Sequence, residues 1–99
     1  MPKTYAITFA VSAVEDLEAI RKWYHDQQVP EVGERLLEDV LSAVERLADF
    51  PQSGRIVPEF GIVHLREIIR PPFRVVYRLG KREVRIVRVW RSERVLKIP

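Results

Sequence analysis

Ten of the twelve cationic side chains in residues 55–99 are arginines, and they hold the densest chemistry in the chain. A guanidinium is a planar donor fork suited to phosphate or carboxylate, whereas a lysine is a hydrated point charge. Arg55, Arg66, Arg70, Arg74, Arg78, Arg85, Arg88, Arg91 and Arg94 form the candidate set, with Trp90 beside them. Arg70, Arg74 and Arg78 fall on neighbouring extended segments, with Tyr77 among them. Such a group can stabilise charge that builds on a phosphate under attack. It cannot move protons, because arginine stays protonated, so a Tyr, Lys or His has to do that. Tyr77 falls on the inward side of its strand and reads as a core residue more readily than a catalyst. Trp90 reads as core or as a base-stacking platform.

Other chemistries find little support. His25 and His64 are the only histidines, and neither lies in a metal-ligand spacing. No cofactor or metal is expected. The glycines form no phosphate loop, no G-x-S-x-G occurs, and Ser12, Ser42, Ser53 and Ser92 lack an obvious base. With no cysteine, disulfides, thiolate metal sites and a thiol nucleophile are excluded.

Charge is distributed unevenly. Residues 1–54 hold five basic and ten acidic side chains, a net of −5; residues 55–99 hold twelve and four, a net of +8. The second half is therefore expected to meet a polyanion or an acidic peptide. A length of 99 residues, 46% hydrophobic and 31% charged, fits one globular domain over 1–99. Nothing at the N-terminus reads as a signal peptide and no apolar run is long enough for a bilayer, so a cytoplasmic protein without membrane contact is expected.

The elements that must position the arginines follow from periodicity. Residues 4–9 alternate as a strand with Tyr5, Ile7 and Phe9 inward. Ser12 and Glu15 read as a capping box opening a helix, along which Ala13, Leu17, Ile20 and Tyr24 recur. Pro30 starts a second helix, with Glu31 and Glu34 near its positive end and an apolar stripe from Leu36 to Ala48. A loop runs from Phe50 to about Gly61. Three strands follow, at 63–70, 73–79 and 83–91, the first two parted at Pro71-Pro72. Phe73, Val75, Tyr77 and Leu79 face the core; Arg74, Val76 and Arg78 face away. In the last strand Val84, Ile86 and Trp90 share one side and Val87 and Val89 the other. The order β-α-α-β-β-β predicts an α+β fold, a helical hairpin packed on a mainly antiparallel sheet.

Several motifs in that order resemble the RelE/ParE superfamily of type II toxin–antitoxin toxins. They are Phe9-x-x-x-Ala13-x-x-Asp16-Leu17-x-x-Ile20, Pro51-x-x-Gly54-Arg55-x-x-Pro58-Glu59, Leu65-Arg66-Glu67, Phe73-Arg74-Val75-Val76-Tyr77-Arg78, Ile86-Val87-Arg88-Val89-Trp90 and Arg94. The resemblance implies a growth-inhibiting toxin neutralised by a cognate antitoxin whose acidic, partly disordered segment wraps it, in a toxin–antitoxin hetero-oligomer. It offers two targets. ParE-like members poison DNA gyrase and are not nucleases; RelE-like members cut mRNA on the ribosome without a metal. On the RelE-like reading Arg74, Arg91 and Arg94 would be catalytic. The lysines that reading needs are replaced by Leu65 and Glu67, and Lys97-Ile98-Pro99 supplies no tyrosine. The Gly54-to-Glu59 loop is closer to the ParE branch, from which no gyrase-contact set carries over; Arg55, Arg66, Arg70, Arg78, Arg88 and Trp90 stay the binding candidates of the arginine pattern itself. A third reading is an inactivated toxin that only binds an antitoxin. A solvent-facing Arg74 should tolerate alanine within ~0.5 kcal/mol.

Overall fold

Phe73, Val75 and Tyr77 are fully buried, as their alternation predicts, and they lie on the middle strand of a five-stranded sheet. The computed structural model describes residues 4–91. Its elements are β1 (Ala6–Phe9), α1 (Val11–Asp26), α2 (Pro30–Arg46), β2 (Arg55–Ile56), β3 (Leu65–Arg70), β4 (Phe73–Leu79) and β5 (Glu83–Arg91). The strands lie in the order β1-β5-β4-β3-β2. Among the described strands, only β1 runs parallel to its neighbour, β5. This is the expected α+β arrangement. The two-residue strand β2, too short to show periodicity, falls inside the segment expected to be loop.

The two helices cover one face of the sheet. Ala13, Tyr24, Val40, Val44 and Leu47 meet Phe73, Val75, Tyr77, Val84, Ile86 and Val89 there. Each large side chain buried this way contributes ~1.5–3 kcal/mol. Pro30 opens α2 and Glu31 lies in its first turn, as the sequence predicts. Arg21 of α1 pairs with Glu34 of α2 at 2.7 Å. The helices pass close at Gly33, where an added Cβ would lie 2.7 Å from Cβ of Tyr24.

Two local expectations need correction. Ser12 is not the cap of α1: the cap position is Ala10, without a side-chain bond. Ser12 Oγ instead donates to the Val87 carbonyl at 2.7 Å. The reason lies in the sheet. β1 pairs with β5 only as far as Ile86, which leaves the rest of that edge open. The first turns of α1 close it: Ser12 takes the carbonyl of Val87, and the Asp16 carboxylate accepts the Val89 N–H at 2.8 Å. An unpaired edge is thereby removed.

The second correction concerns β5. Tyr77 pairs with Ile86 but Val76 pairs with Arg88, so Val87 is an extra residue, a β-bulge. The bulge shifts the alternation by one. Val84, Ile86 and Val89 therefore enter the core, and Trp90 falls on the other face, opposite Arg74.

Candidate functional site

Opposed residues in an antiparallel pair share a face. The register thus sorts the arginines. Arg66, Arg70 and Arg91 lie opposite Tyr77, Phe73 and Phe73, on the helix side. Arg74, Arg78, Arg85 and Arg88 lie on the other side, with Glu67 and Trp90. Arg55, opposite Glu67, joins that second side.

Arg74 overturns the expectation of a solvent-facing guanidinium. It is 2% exposed. Its Nε donates to Glu67 at 2.7 Å, and its two Nη atoms donate to the two oxygens of Glu59 at 3.0 Å each. Glu67, itself 1% exposed, also accepts from Nε of Arg55 at 2.7 Å. The result is a chain of alternating charges, Arg55–Glu67–Arg74–Glu59, with no net charge. Strand alternation puts Arg74 off the core face, but that face is not open. Glu59 reaches Arg74 from the segment after β2, and Val57 in that segment is fully buried. Hydrogen bonding to Glu59 and Glu67 raises the Arg74 pKa, and the Arg74 bonds lower that of Glu59.

The Glu59 shift carries a sign. Its native pKa lies below the unfolded value, so the native state binds fewer protons in acid. The stabilisation is present above the ordinary carboxylate value of ~4.3 and is lost as pH falls through the lower native value. Glu59→Gln should therefore flatten the acid limb of urea midpoints plotted against pH. An unchanged slope would show that the Glu59–Arg74 bonds contribute nothing.

Arg66 and Tyr77 hold the loop before β2. Arg66 Nη1 donates to the Gly54 carbonyl at 3.0 Å, while its Nε is buried without a partner. Tyr77 is fully buried, which raises its pKa. Its hydroxyl accepts from the Gly54 N–H at 3.0 Å and donates to the Pro51 carbonyl at 2.6 Å. Tyr77 is the core residue that the alternation predicts.

The remaining candidates are dispersed. Arg88 donates to both Asp16 oxygens at 2.8 and 3.0 Å, which raises its pKa, and stacks 4.8 Å from the Trp90 ring centroid. Arg91 lies over Trp23 at 5.1 Å and donates to the Tyr24 hydroxyl at 3.2 Å. Arg70 has Asp39 at 3.9 Å. Arg78 and Arg85 are exposed and directly opposed. Arg94 lies outside the described residues. Arg74 and Arg91, the two described members of the proposed catalytic set, occupy opposite faces and are not brought together. Among the described residues there is no group of three or more potential metal ligands, and no helix is long and apolar enough to cross a membrane.

The carboxylates were the missed part of this site. Glu59 and Glu67 stood inside the quoted motifs, and the signal available was a glutamate beside an arginine on the same face of the next strand. Asp16 was also quoted, but its partners, the Arg88 guanidinium and the Val89 N–H, lie far away in sequence and leave no trace in the local pattern.

Comparison with known proteins agrees with this architecture. A chain of the chromosomal ParDE toxin–antitoxin system of P. aeruginosa superposes with a TM-score of 0.75 at 23% identity, over 90% of this chain and 97% of that one. A chain of the toxin–antitoxin complex RelBE2 of Mycobacterium tuberculosis superposes at 0.64 with 22% identity, over 89% and 98%. No curated protein sequence matches. Residues 7–96 match the family described as the ParE toxin of the type II toxin–antitoxin system parDE, and the chain belongs to that family.

Proposed function

We propose that this toxin arrests growth by binding DNA gyrase rather than by cutting RNA, and that an antitoxin protein holds it inactive in a hetero-oligomer. The observation that carries the reading is the state of Arg74. A guanidinium that is 2% exposed and bonded through all three of its nitrogens to two carboxylates already has its charge matched and is poorly placed to receive a scissile phosphate. Arg91 supports the same reading, since it lies across the sheet from Arg74. Tyr77, the nearest proton mover in sequence, uses its hydroxyl on Gly54 and Pro51. The basic second half suits an acidic antitoxin segment, and the structural relatives from P. aeruginosa and M. tuberculosis belong to toxin–antitoxin systems.

A supercoiling assay with purified, antitoxin-free protein tests this. Plasmid topology should show inhibited gyrase with trapped cleaved DNA. A clean negative from protein that still arrests growth would overturn the gyrase target in favour of the ribosome. Protein that does not arrest growth would be an antitoxin-binding module alone.

A further inference from the structure

The β4–β5 hairpin carries four cations at its turn end. Arg78 and Arg85 lie directly opposite each other, on the face away from the helices. Lys81 and Arg82 fall in the turn between the strands, where the Gly80 N–H bonds the Glu83 carbonyl at 2.8 Å. All four residues are exposed, and none of them forms an ion pair among the described residues. The one carboxylate in the segment, Glu83, accepts from the Thr8 hydroxyl at 2.7 Å, on the β1 side. Residues 78–85 therefore hold four positive charges against one negative. The patch ends at Arg88, whose charge Asp16 matches.

Folding does not call for this arrangement. Like charges directly opposed on neighbouring strands destabilise the pair. Arg74, on the same strand as Arg78, shows the alternative: Glu59 and Glu67 match its charge. The hairpin end also lacks an apolar anchor. Within residues 78–85 no large apolar side chain is exposed, since Leu79 is half-buried and Val84 fully buried. A protein interface is anchored by apolar and aromatic side chains at its centre. A phosphate backbone needs none, because charge and the release of its counterions bind it.

We propose that the turn end of this hairpin contacts the phosphate backbone of duplex DNA through Arg78, Lys81, Arg82 and Arg85, without reading base sequence. Contacts to phosphate position a protein on a duplex and carry no sequence information. The forks of Arg78 and Arg85 would donate to phosphate oxygens, and Lys81 and Arg82 would extend the contact along the backbone. Such a contact would seat the toxin against gyrase and against the DNA that gyrase holds, so that each contact slows release from the other. The choice of DNA over RNA rests on the gyrase reading above; the backbone contact does not.

The test uses a short fluorescent duplex DNA of mixed sequence, titrated with the whole, antitoxin-free chain and read by anisotropy at several salt concentrations. Four phosphate contacts predict that affinity falls about a hundredfold between about 50 and about 200 mM salt. Arg78→Gln with Arg85→Gln removes two of them, so binding should weaken at least ~tenfold and the fall with salt should shrink to about tenfold. Lys81→Gln with Arg82→Gln, in the turn, is a second variant with the same expected change. Arg35→Gln with Arg46→Gln, at two exposed positions of α2, removes the same net charge elsewhere and should leave the salt dependence as it was. No binding by the unaltered chain, unchanged salt dependence in the hairpin variants, an equal drop in the α2 variant, or tighter binding of duplex RNA would each overturn the proposal. Gyrase supercoiling is a separate readout. Protein that inhibits gyrase without binding DNA overturns the hairpin contact alone, and protein that binds DNA without inhibiting gyrase overturns the gyrase reading alone.

Discussion

Arg74→Ala should lower the folding stability by about 3–5 kcal/mol, the usual cost of removing one member of a buried ion pair. The substitution leaves Glu67 with Arg55 alone, and that arginine's side chain is 60% exposed while the Glu67 side chain is fully buried. It also strips Glu59 of both its bonds and empties the volume of a side chain that is 3% exposed. Against a total stability of ~5–15 kcal/mol for a domain, such a loss is severe. Urea denaturation measures it directly, and a change within ~0.5 kcal/mol would mean the network has no net value. Replacing Arg74 together with its two carboxylate partners, as Glu59→Gln, Glu67→Met and Arg74→Met, should recover most of the loss, because apolar side chains of similar volume at the two buried positions need no counter-charge. That triple variant separates folding from chemistry. Growth arrest by it would show that Arg74 serves the fold; folded protein without arrest would return Arg74 to the mechanism.

The elements of this fold were legible because each rests on a local pattern. Pro30 and the stripe from Leu36 to Ala48 specify α2, and the alternation from Phe73 to Tyr77 specifies the middle strand. What was not legible depends on neighbours in space. Alternation says that Arg74 leaves the core face; it does not say that residues beyond β2 cover the face it enters. The Val87 bulge inverts Val89 and Trp90, and an extra residue in one strand is visible only against its partner. Ser12 followed by Glu15 has the spacing of a capping box, yet the open edge of β5 claims the hydroxyl. The resemblance compensates in part: Asp16, Gly54, Glu59 and Glu67 all stood in its motifs. In this chain their roles are to close an edge, seat a loop and neutralise Arg74.

Gly54→Ala should cost roughly 2–5 kcal/mol, combining overpacking with the loss of a buried hydrogen bond. An added Cβ would lie 2.6 Å from the Tyr77 hydroxyl, 2.7 Å from its Cε1 and 2.7 Å from the Glu67 carbonyl oxygen. None of the three can yield easily. The hydroxyl is held by the Gly54 N–H and the Pro51 carbonyl, the ring is fully buried, and the carbonyl belongs to β3. Relief would require β2 to move off the sheet, taking Arg55 from Glu67. Tyr77→Phe isolates one part of this. It removes the hydroxyl, leaves the Gly54 N–H and Pro51 carbonyl unpaired, and should cost ~1–3 kcal/mol alone. In the double variant the closest clash is gone and the hydrogen bond is lost only once, so the combined cost should fall short of the sum by ~0.5–3 kcal/mol. The clashes with Cε1 and the carbonyl oxygen persist, so the double variant should remain less stable than Tyr77→Phe. Strict additivity in thermal or urea unfolding would mean that Gly54 and Tyr77 act independently, and the close seating of the loop on Tyr77 would no longer explain why a glycine stands there.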